Sequence, residues 1–567
     1  MWKPPIDWRS RVTLTLRRVL LFTPLSLVGL GVEAVYPSGA ALRGLFESVY
    51  YGVVGLFALQ LVLDFWRAAS KMAFFRTHAF NALLLLPLPL ASDGVRISVG
   101  LIALRQTLEL IRFLGPSPGP RQRLSALRFT PARVVTASFA GTILVGTLLL
   151  TLPVATRDSQ GTPLLDALFT ATSAVCVTGL TVLDTPVHYS TFGQVVLMGL
   201  MQVGGLGIMT FSTFLAITLQ RRMGMRDRLI MQDLLEERNI ETLKSMIVGI
   251  LKLTFIIEAI GALTLTWAWY ATGESLWAAL YLGVFHSIAA FNNAGFALFS
   301  DNLMQYRSDT LINLAITSLI ILGGLGFVVI STLPQLRFWG KPRVRRLPCH
   351  SRIVLWTTAI LLVSGTLFFL LAEGGKTMAG FSWSERLLAA YFLAVTPRTA
   401  GFNTVDTGSL TDLSLFITII LMFVGASPAS TGGGVKTSSF ALLVLSIRAI
   451  LRKREEVEVF YRTIPRETVH KALVIITLSF SLINLFTILL LLTDDAPFLP
   501  TMFEVVSAFG TVGLSMGLTP SLTAAGKVII IMVMFIGRIG PLTMALALGE
   551  RQESARFAYP SERVMVG

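Results

Sequence analysis

Four short segments centred on glycine recur along this chain. They read Val177, Thr178, Gly179, Leu180; Asn293, Ala294, Gly295, Phe296; Thr399, Ala400, Gly401, Phe402; and Thr511, Val512, Gly513, Leu514. Their glycines stand 116, 106 and 112 residues apart. Each segment follows a half-length apolar stretch, at 163–175, 276–291, 383–395 and 498–509. A second glycine follows each first one after 24 to 28 residues: Gly204, Gly323, Gly425 and Gly537. Eight glycines held in this register describe one unit copied four times. The unit predicts a long helix, a half-length helix, a glycine turn and another long helix.

What surrounds these units is lipid. With 53% apolar and 14% charged residues and a mean hydropathy of +0.71, the chain cannot be a water-soluble globule. A bilayer core of about 30 Å takes roughly 20 apolar residues per helix, and 134–156 supplies such a run without a charge. Helices are predicted near 19–36, 45–64, 73–91, 95–114, 134–156, 191–219, 245–271, 309–333, 353–372, 412–448, 470–493 and 525–549, the 412–448 pass being interrupted. The net charge of +15 is clustered at 3–18, 67–76, 121–133, 221–244, 337–352, 448–471 and 551–563, every second connection. By the positive-inside rule those connections and both termini are cytoplasmic. This is the pattern of a multi-pass protein of the plasma (inner) membrane in contact with lipid, and no nucleic-acid partner is expected. The N-terminal helix lacks a small-residue cleavage site and is expected to stay. Two cysteines, Cys176 and Cys349, make no disulfide framework, and no zinc or redox motif is present.

The half-length helices are too short to span. Irregular backbone at membrane depth is tolerated only where it is buried in protein or lines a water-filled path, so the four segments are expected to re-enter and meet around one axis as a pore. A dehydrated potassium ion needs oxygens in place of its water, and rings of backbone carbonyls supply them. Aiming successive carbonyls inward takes the chain through positive φ, which glycine allows without a Cβ penalty. The fourth segment repeats the first three residues of the TVGYG potassium filter. The bland alternative is a set of small residues for helix packing, but packing glycines have no reason to follow four half-helices in register.

From about 125 to 549 the chain resembles the Trk/Ktr/HKT superfamily of potassium transporters, most closely the Ktr-type membrane subunit. The resemblance is carried by SAVCVTGLTVLD at 173–184, FHSIAAFNNAGFALFSDNL at 285–303, TPRTAGFNTVDTGSL at 396–410 and SAFGTVGLSMGLTPSL at 507–522. It implies an all-α polytopic membrane protein with four helix–pore-loop–helix repeats around a pseudo-fourfold pore, and a homodimer of such pores. Gly179, Gly295, Gly401 and Gly513 would be its filter glycines. Some relatives carry serine at the first of these and favour sodium, so Gly179 argues for potassium, with sodium a second candidate ion.

The third repeat departs from the others at GASPASTGGGVKTSS, where Gly425 and the triplet Gly432, Gly433 and Gly434 flank Pro428. Each glycine costs a helix about 1 kcal/mol and proline about 3, so the helix is expected to break inside the membrane at 426–437. This is expected to be the only broken last helix of the four. In the resembled family such a loop lies under the filter and gates it. Lys436 and a mid-helix Arg538 are intramembrane cations, expensive there and expected to face a cavity or a partner. Arg538 is read equally as a gating charge and as a tie to loop carbonyls. Glu258 is expected to make a helix-packing or pore-helix contact, and His286 and Cys176 to be packing residues.

The expected division is 1–120, a four-helix membrane segment loosely like a voltage sensor; 121–230, 231–345 and 346–455, pore repeats 1 to 3; and 456–567, repeat 4 with a short cytoplasmic tail. Within the first segment Arg96, Arg105 and Arg112 lie 9 and 7 apart, wider than gating charges require. A potassium-conducting subunit is the leading function. A sodium- or proton-coupled symporter is the alternative, although its inverted repeats differ from four units running the same way. A voltage-gated channel would need a sensor before every repeat, and no nucleophile–base pair suggests an enzyme. With no GxGxxG on a strand, regulation is expected from outside the chain. Ktr-type relatives dock on a cytosolic ring of Rossmann-type nucleotide-binding subunits, and the mixed-charge connections at 221–244 and 448–471 suit such a partner.

Overall fold

A computed structural model describes residues 51–59, 131–207, 240–332 and 347–548. It divides into two bodies. Residues 51–59 and Leu152–Gly161 fall in one, and the remaining described residues in the other. In the first body 51–59 is helical, within the predicted 45–64, and Pro153–Ala155 forms one 3₁₀ turn. The other three N-terminal helices, the sensor-like arginines and both tails lie outside the described residues.

The second body is helical. Its described helices of eight residues or more, in chain order, are α1 (Pro131–Leu150), α2 (Leu164–Cys176), α3 (Thr191–Leu206), α4 (Ile240–Ala271), α5 (Leu276–Phe291), α6 (Thr310–Leu325), α7 (Cys349–Glu373), α8 (Trp383–Val395), α9 (Asp412–Phe423), α10 (Thr437–Leu451), α11 (Arg466–Thr493), α12 (Phe498–Gly510), α13 (Ala524–Ile539) and α14 (Pro541–Leu548). Long helix, short helix, glycine segment and closing helix thus succeed one another four times among the described residues. Among the described residues three helices, at Ile247–Ala271, Cys349–Glu373 and Arg466–Thr493, are long and apolar enough to cross a membrane. Their outward faces carry Phe255, Trp267, Trp356, Val363, Phe480 and Leu492 exposed. Such a face is stable only where the surrounding solvent is itself apolar.

Local chemistry explains the boundaries. Hydroxyls start the helices: Ser275 caps α5, Thr411 caps α9 and Thr523 caps α13, each accepting a backbone N–H three residues on. Ser382 forms a full capping box with Glu385 at the start of α8. The short helices α2 and α12 stop because the next residue, Val177 or Thr511, is left-handed, at φ 59° and 51°. In the third and fourth repeats a carboxylate at the end of the long helix receives the threonine capping the closing helix. Glu373 accepts from Thr411 N at 3.2 Å and Asp494 from Thr523 N at 2.7 Å.

Two expectations need correction. The third closing helix is not the only broken one: α6 stops at Gly326 (φ 89°) before a further short helix, Phe327–Thr332, and α13 stops at Gly540 (φ 93°) before α14, while α3 ends at Gly207 (φ 81°). A single left-handed glycine is enough to turn a helix, and a lone glycine in a long apolar run looks like packing. What sets the third repeat apart is the length of its break, which replaces one glycine by the stretch between α9 and α10. Arg538, in turn, is not in the middle of its helix but in the last turn of α13, just before Gly540. The connection after α10 also departs from an all-helical reading. There Val457–Val459 (β1) and Arg462–Ile464 (β2) pair antiparallel as a small hairpin, with an exposed Arg454–Glu458 ion pair at 2.5 Å.

The first and fourth repeats share no direct chain connection, yet they are joined. Lys527 of α13 pairs with Asp166 of α2 at 2.7 Å, the two side chains only 15% and 16% exposed. Removing one member strands the other charge, which costs about 3 kcal/mol at such burial. Asp166→Asn is therefore expected to lower the melting temperature of the solubilised protein. The exchange Asp166→Lys with Lys527→Asp should recover only part, because lysine in the first turn of α2 opposes the helix dipole. An unchanged melting temperature in Asp166→Asn would show the pair to be solvent-screened.

Candidate functional site: a ring of four glycines

The four glycine segments meet. A Cβ placed on Gly179 would touch Gly295 Cα, one on Gly295 would touch Gly401 Cα, one on Gly401 would touch Gly513 Cα, and one on Gly513 would touch Gly179 Cα. The ring closes in sequence order. The nearest backbone oxygens follow the same cycle: Ala294 O lies against Gly179, Ala400 O against Gly295, Val512 O against Gly401 and Thr178 O against Gly513. Each segment therefore sets the carbonyl oxygen of its second residue against the glycine of the preceding segment, the first segment's against that of the fourth.

The backbone that does this is left-handed at two places per segment, not one. Val177, Asn293, Thr399 and Thr511 have φ of 59°, 57°, 68° and 51°, and the glycines 90°, 70°, 75° and 92°. The residue between them is not left-handed. In an extended strand successive carbonyls point to opposite sides; alternating the sign of φ turns every other peptide over and brings consecutive oxygens onto one side. A non-glycine residue in the left-handed region costs about 1–2 kcal/mol, a strain the sequence hides because only the third position is glycine. The residues Val177, Thr178, Asn293, Ala294, Thr399, Ala400, Thr511 and Val512, expected in the site from sequence, are all buried.

Supports from behind differ between repeats. Ser173 Oγ accepts from Gly179 N at 3.0 Å and Ser507 Oγ accepts from Gly513 N at 3.1 Å. In the second and third repeats the first-position side chains of Asn293 and Thr399 meet at 3.1 Å. The Thr396 hydroxyl donates to Phe402 O. His286 is more than packing: its Nε2 accepts from Leu298 N at 3.3 Å while Nδ1 faces Leu282 O at 2.8 Å, which fixes the turn after Gly295. In the fourth repeat the buried carboxylate of Glu504 accepts from Ser515 Oγ at 2.9 Å and from the Thr519 hydroxyl. Glu258, as expected, makes helix contacts: Asn292 Nδ2 donates to it at 3.0 Å and Gln202 Nε2 at 3.3 Å. Cys176 is buried in the core.

The second set of glycines lets the closing helices press on the short ones. A Cβ on Gly204 would strike Val175 O, on Gly323 Phe291 O and on Gly537 Phe509 O, each at the end of a short helix. Gly425 meets instead the loop of its own repeat, at Gly433 O and Gly434 Cα. That loop is well tied. Gly425 N donates to Val435 O at 2.9 Å, Ser427 N to Gly324 O at 3.0 Å, and Phe327 N to Ala429 O at 2.9 Å. Gly433 N donates to the Thr511 hydroxyl at 3.0 Å, and Gly432 lies against the Thr399 side chain. Lys436 Nζ donates to Gly432 O at 2.7 Å. The Arg538 guanidinium donates to Thr431 O of the loop and to Gly204 O of α3. The loop thus sits at the upstream end of the glycine segments. At the downstream end a cavity of about 290 Å³ opens, lined by the four ring glycines and by Asp184, Asp301 and Asp406.

Residues 130–558 match the family of cation transport proteins designated TrkH. The chain belongs to that family. It is accordingly a membrane transport protein and not an enzyme. Its relatives include the Ktr system potassium uptake protein B of Bacillus subtilis, 42% identical over 78% of this chain and 98% of that one. The protein of the same description from Vibrio alginolyticus is 42% identical over 77% and 94%, and the potassium/sodium uptake protein NtpJ of Enterococcus hirae 36% identical over 78% and 98%. The crystal structure of the potassium transporter TrkH from Vibrio parahaemolyticus has the same fold, with a TM-score of 0.61 at 18% identity, covering 83% of this chain and 96% of that one.

Proposed function

We propose that this TrkH-family protein passes potassium ions across the plasma membrane through the ring of Gly179, Gly295, Gly401 and Gly513. The observation that carries this reading is the closed cycle of four second-residue carbonyls, each lying against the glycine of the preceding segment. Oxygens set this way replace the hydration shell of a dehydrated cation. Four short helices end at the ring, and the C-terminal end of a helix carries partial negative charge, equivalent to about half an elementary charge. All four ends favour a cation at the centre. The relatives' printed functions are potassium uptake, and in one case potassium and sodium uptake, so potassium is the favoured ion and sodium the second.

On this reading the repeats at 121–230, 231–345, 346–455 and 456–567 each supply one quarter of a pseudo-fourfold pore. The cavity beside Asp184, Asp301 and Asp406 is its outer mouth, and the Gly-rich loop with Gly425, Gly432, Gly433, Gly434, Lys436 and Arg538 is its gate. Two of the relatives are named as parts of a Ktr system. That supports a separate regulatory subunit, which we take to be a cytosolic nucleotide-binding ring acting on the loop of a homodimer.

The test is rubidium uptake into liposomes holding the purified protein, competed separately with potassium, sodium and lithium. Potassium is expected to compete at least tenfold better than sodium or lithium. Equal competition by all three would overturn the filter. Uptake is also expected to respond to ATP or ADP once a soluble protein co-purified from the native membrane is added; full, nucleotide-insensitive uptake with no such partner would refute the regulatory part.

A further inference from the structure

The four ring carbonyls are not held alike, and the difference lies in one hydroxyl. A peptide plane carries the carbonyl of one residue at one edge and the N–H of the next at the other, so fixing the N–H fixes the direction of the C=O. Ser173 Oγ holds Gly179 N at 3.0 Å, and Thr178 O at the other edge of that plane points at Gly513. Ser507 Oγ holds Gly513 N at 3.1 Å, and Val512 O on that plane points at Gly401. Both serines are fully buried, six residues before their glycines, in the last turns of α2 and α12. The equivalent positions of the second and third repeats hold Ala289 and Val395, which have no hydroxyl.

Resting on the filter reading above, we infer that Ser173 and Ser507 are positioning residues for ion selectivity, pinning the Thr178 and Val512 carbonyls towards the ion while the Ala294 and Ala400 carbonyls are set by backbone and neighbours alone. Neither serine touches the ion path itself. Each acts through a glycine N–H. Without the hydroxyl that N–H loses a buried acceptor, and the peptide plane is free to rotate and carry its carbonyl off the axis. A plane that turns away removes one oxygen of four from a dehydrated ion, and the ion with the tighter hydration shell then gains relative to potassium. The two pinned planes are neighbours in the ring, so their loss is expected to compound.

The experiment measures rubidium uptake by the whole protein in liposomes, competed with potassium and with sodium. Ser173→Ala and Ser507→Ala are each expected to lower potassium-over-sodium discrimination about three- to tenfold, and the double variant further. Ser173→Thr, which restores a hydroxyl, is expected to recover most of the loss. The control is Ser287→Ala in α5, equally buried but donating to Glu258 O at 2.7 Å and touching no ring glycine; it should leave discrimination unchanged. A merely structural serine would lower melting temperature and yield without moving the ion ratio, and that result in both alanine variants overturns the inference. Should Ser173→Ala fail to assemble, Ser507→Ala decides alone. If Gly401→Ser alters discrimination but the serine variants do not, the filter stands and the positioning role falls. If neither the serine variants nor any of the four glycine-to-serine variants does, both fall together.

Discussion

Replacing Gly401 with serine is expected to reduce potassium-over-sodium discrimination at least tenfold while the protein still assembles. A Cβ at this position stands 2.6 Å from Val512 O and 3.0 Å from Gly295 Cα, on a backbone at φ 75°. The left-handed conformation alone costs a non-glycine residue about 1–2 kcal/mol, comparable with the roughly 1.4 kcal/mol that separates a tenfold difference. Relief requires moving a ring carbonyl, since no flexible side chain can yield instead. Gly295→Ser should be milder, because its nearest neighbours, Ala400 O and Gly401 Cα, are both 3.0 Å away. Rubidium uptake competed with potassium and sodium reads the effect. Unchanged discrimination in all four single glycine-to-serine variants would remove the ring from the function.

Freeing the Gly-rich loop should act on flux rather than selectivity. Arg538 joins Thr431 O of the loop to Gly204 O of α3, and so bridges three repeats at once. Hydrogen bonds from a charged donor contribute about 1.5–3 kcal/mol each. Arg538→Ala is therefore expected to raise uptake by the protein alone at least tenfold and to weaken its dependence on any regulator. Arg538→Lys, a single point charge in place of a planar fork, should fall between. Deleting 430–434 is expected to do the same by removing the carbonyl that Arg538 holds, together with Gly433 N and its bond to Thr511. If Arg538→Ala assembles with lower melting temperature but unchanged or reduced uptake, the arginine is a brace and the loop is not the gate.

Several parts of this arrangement were legible because they depend on backbone chemistry that only certain residues permit. Glycine at 179, 295, 401 and 513 marked the ring because the close approach of four backbones excludes any Cβ. The proline and glycine triplet at 428–434 marked the break between α9 and α10 because no regular helix tolerates it. The half-length helices were readable from their lengths, and α5 and α8 begin and end where the apolar pattern placed them. The helix breaks at Gly326 and Gly540 and the helix end at Gly207 were missed because one left-handed glycine in an apolar run has the same sequence signature as one that merely packs.

The sequence by itself determined that the chain lives in lipid, that its last three quarters repeat one unit four times, and which glycines had to lie where backbones meet; these follow from composition, spacing and the absence of a Cβ. Only the tertiary structure decided which oxygen faces which glycine, that Val177, Asn293, Thr399 and Thr511 are left-handed, that Ser173 and Ser507 hold two of the four peptide planes, and that Arg538 ties the loop to the first repeat. Those contacts join residues up to 335 positions apart, Thr178 and Gly513 being the most distant pair. No local pattern encodes them, because a hydroxyl or guanidinium finds its acceptor only after the helices that carry it have packed.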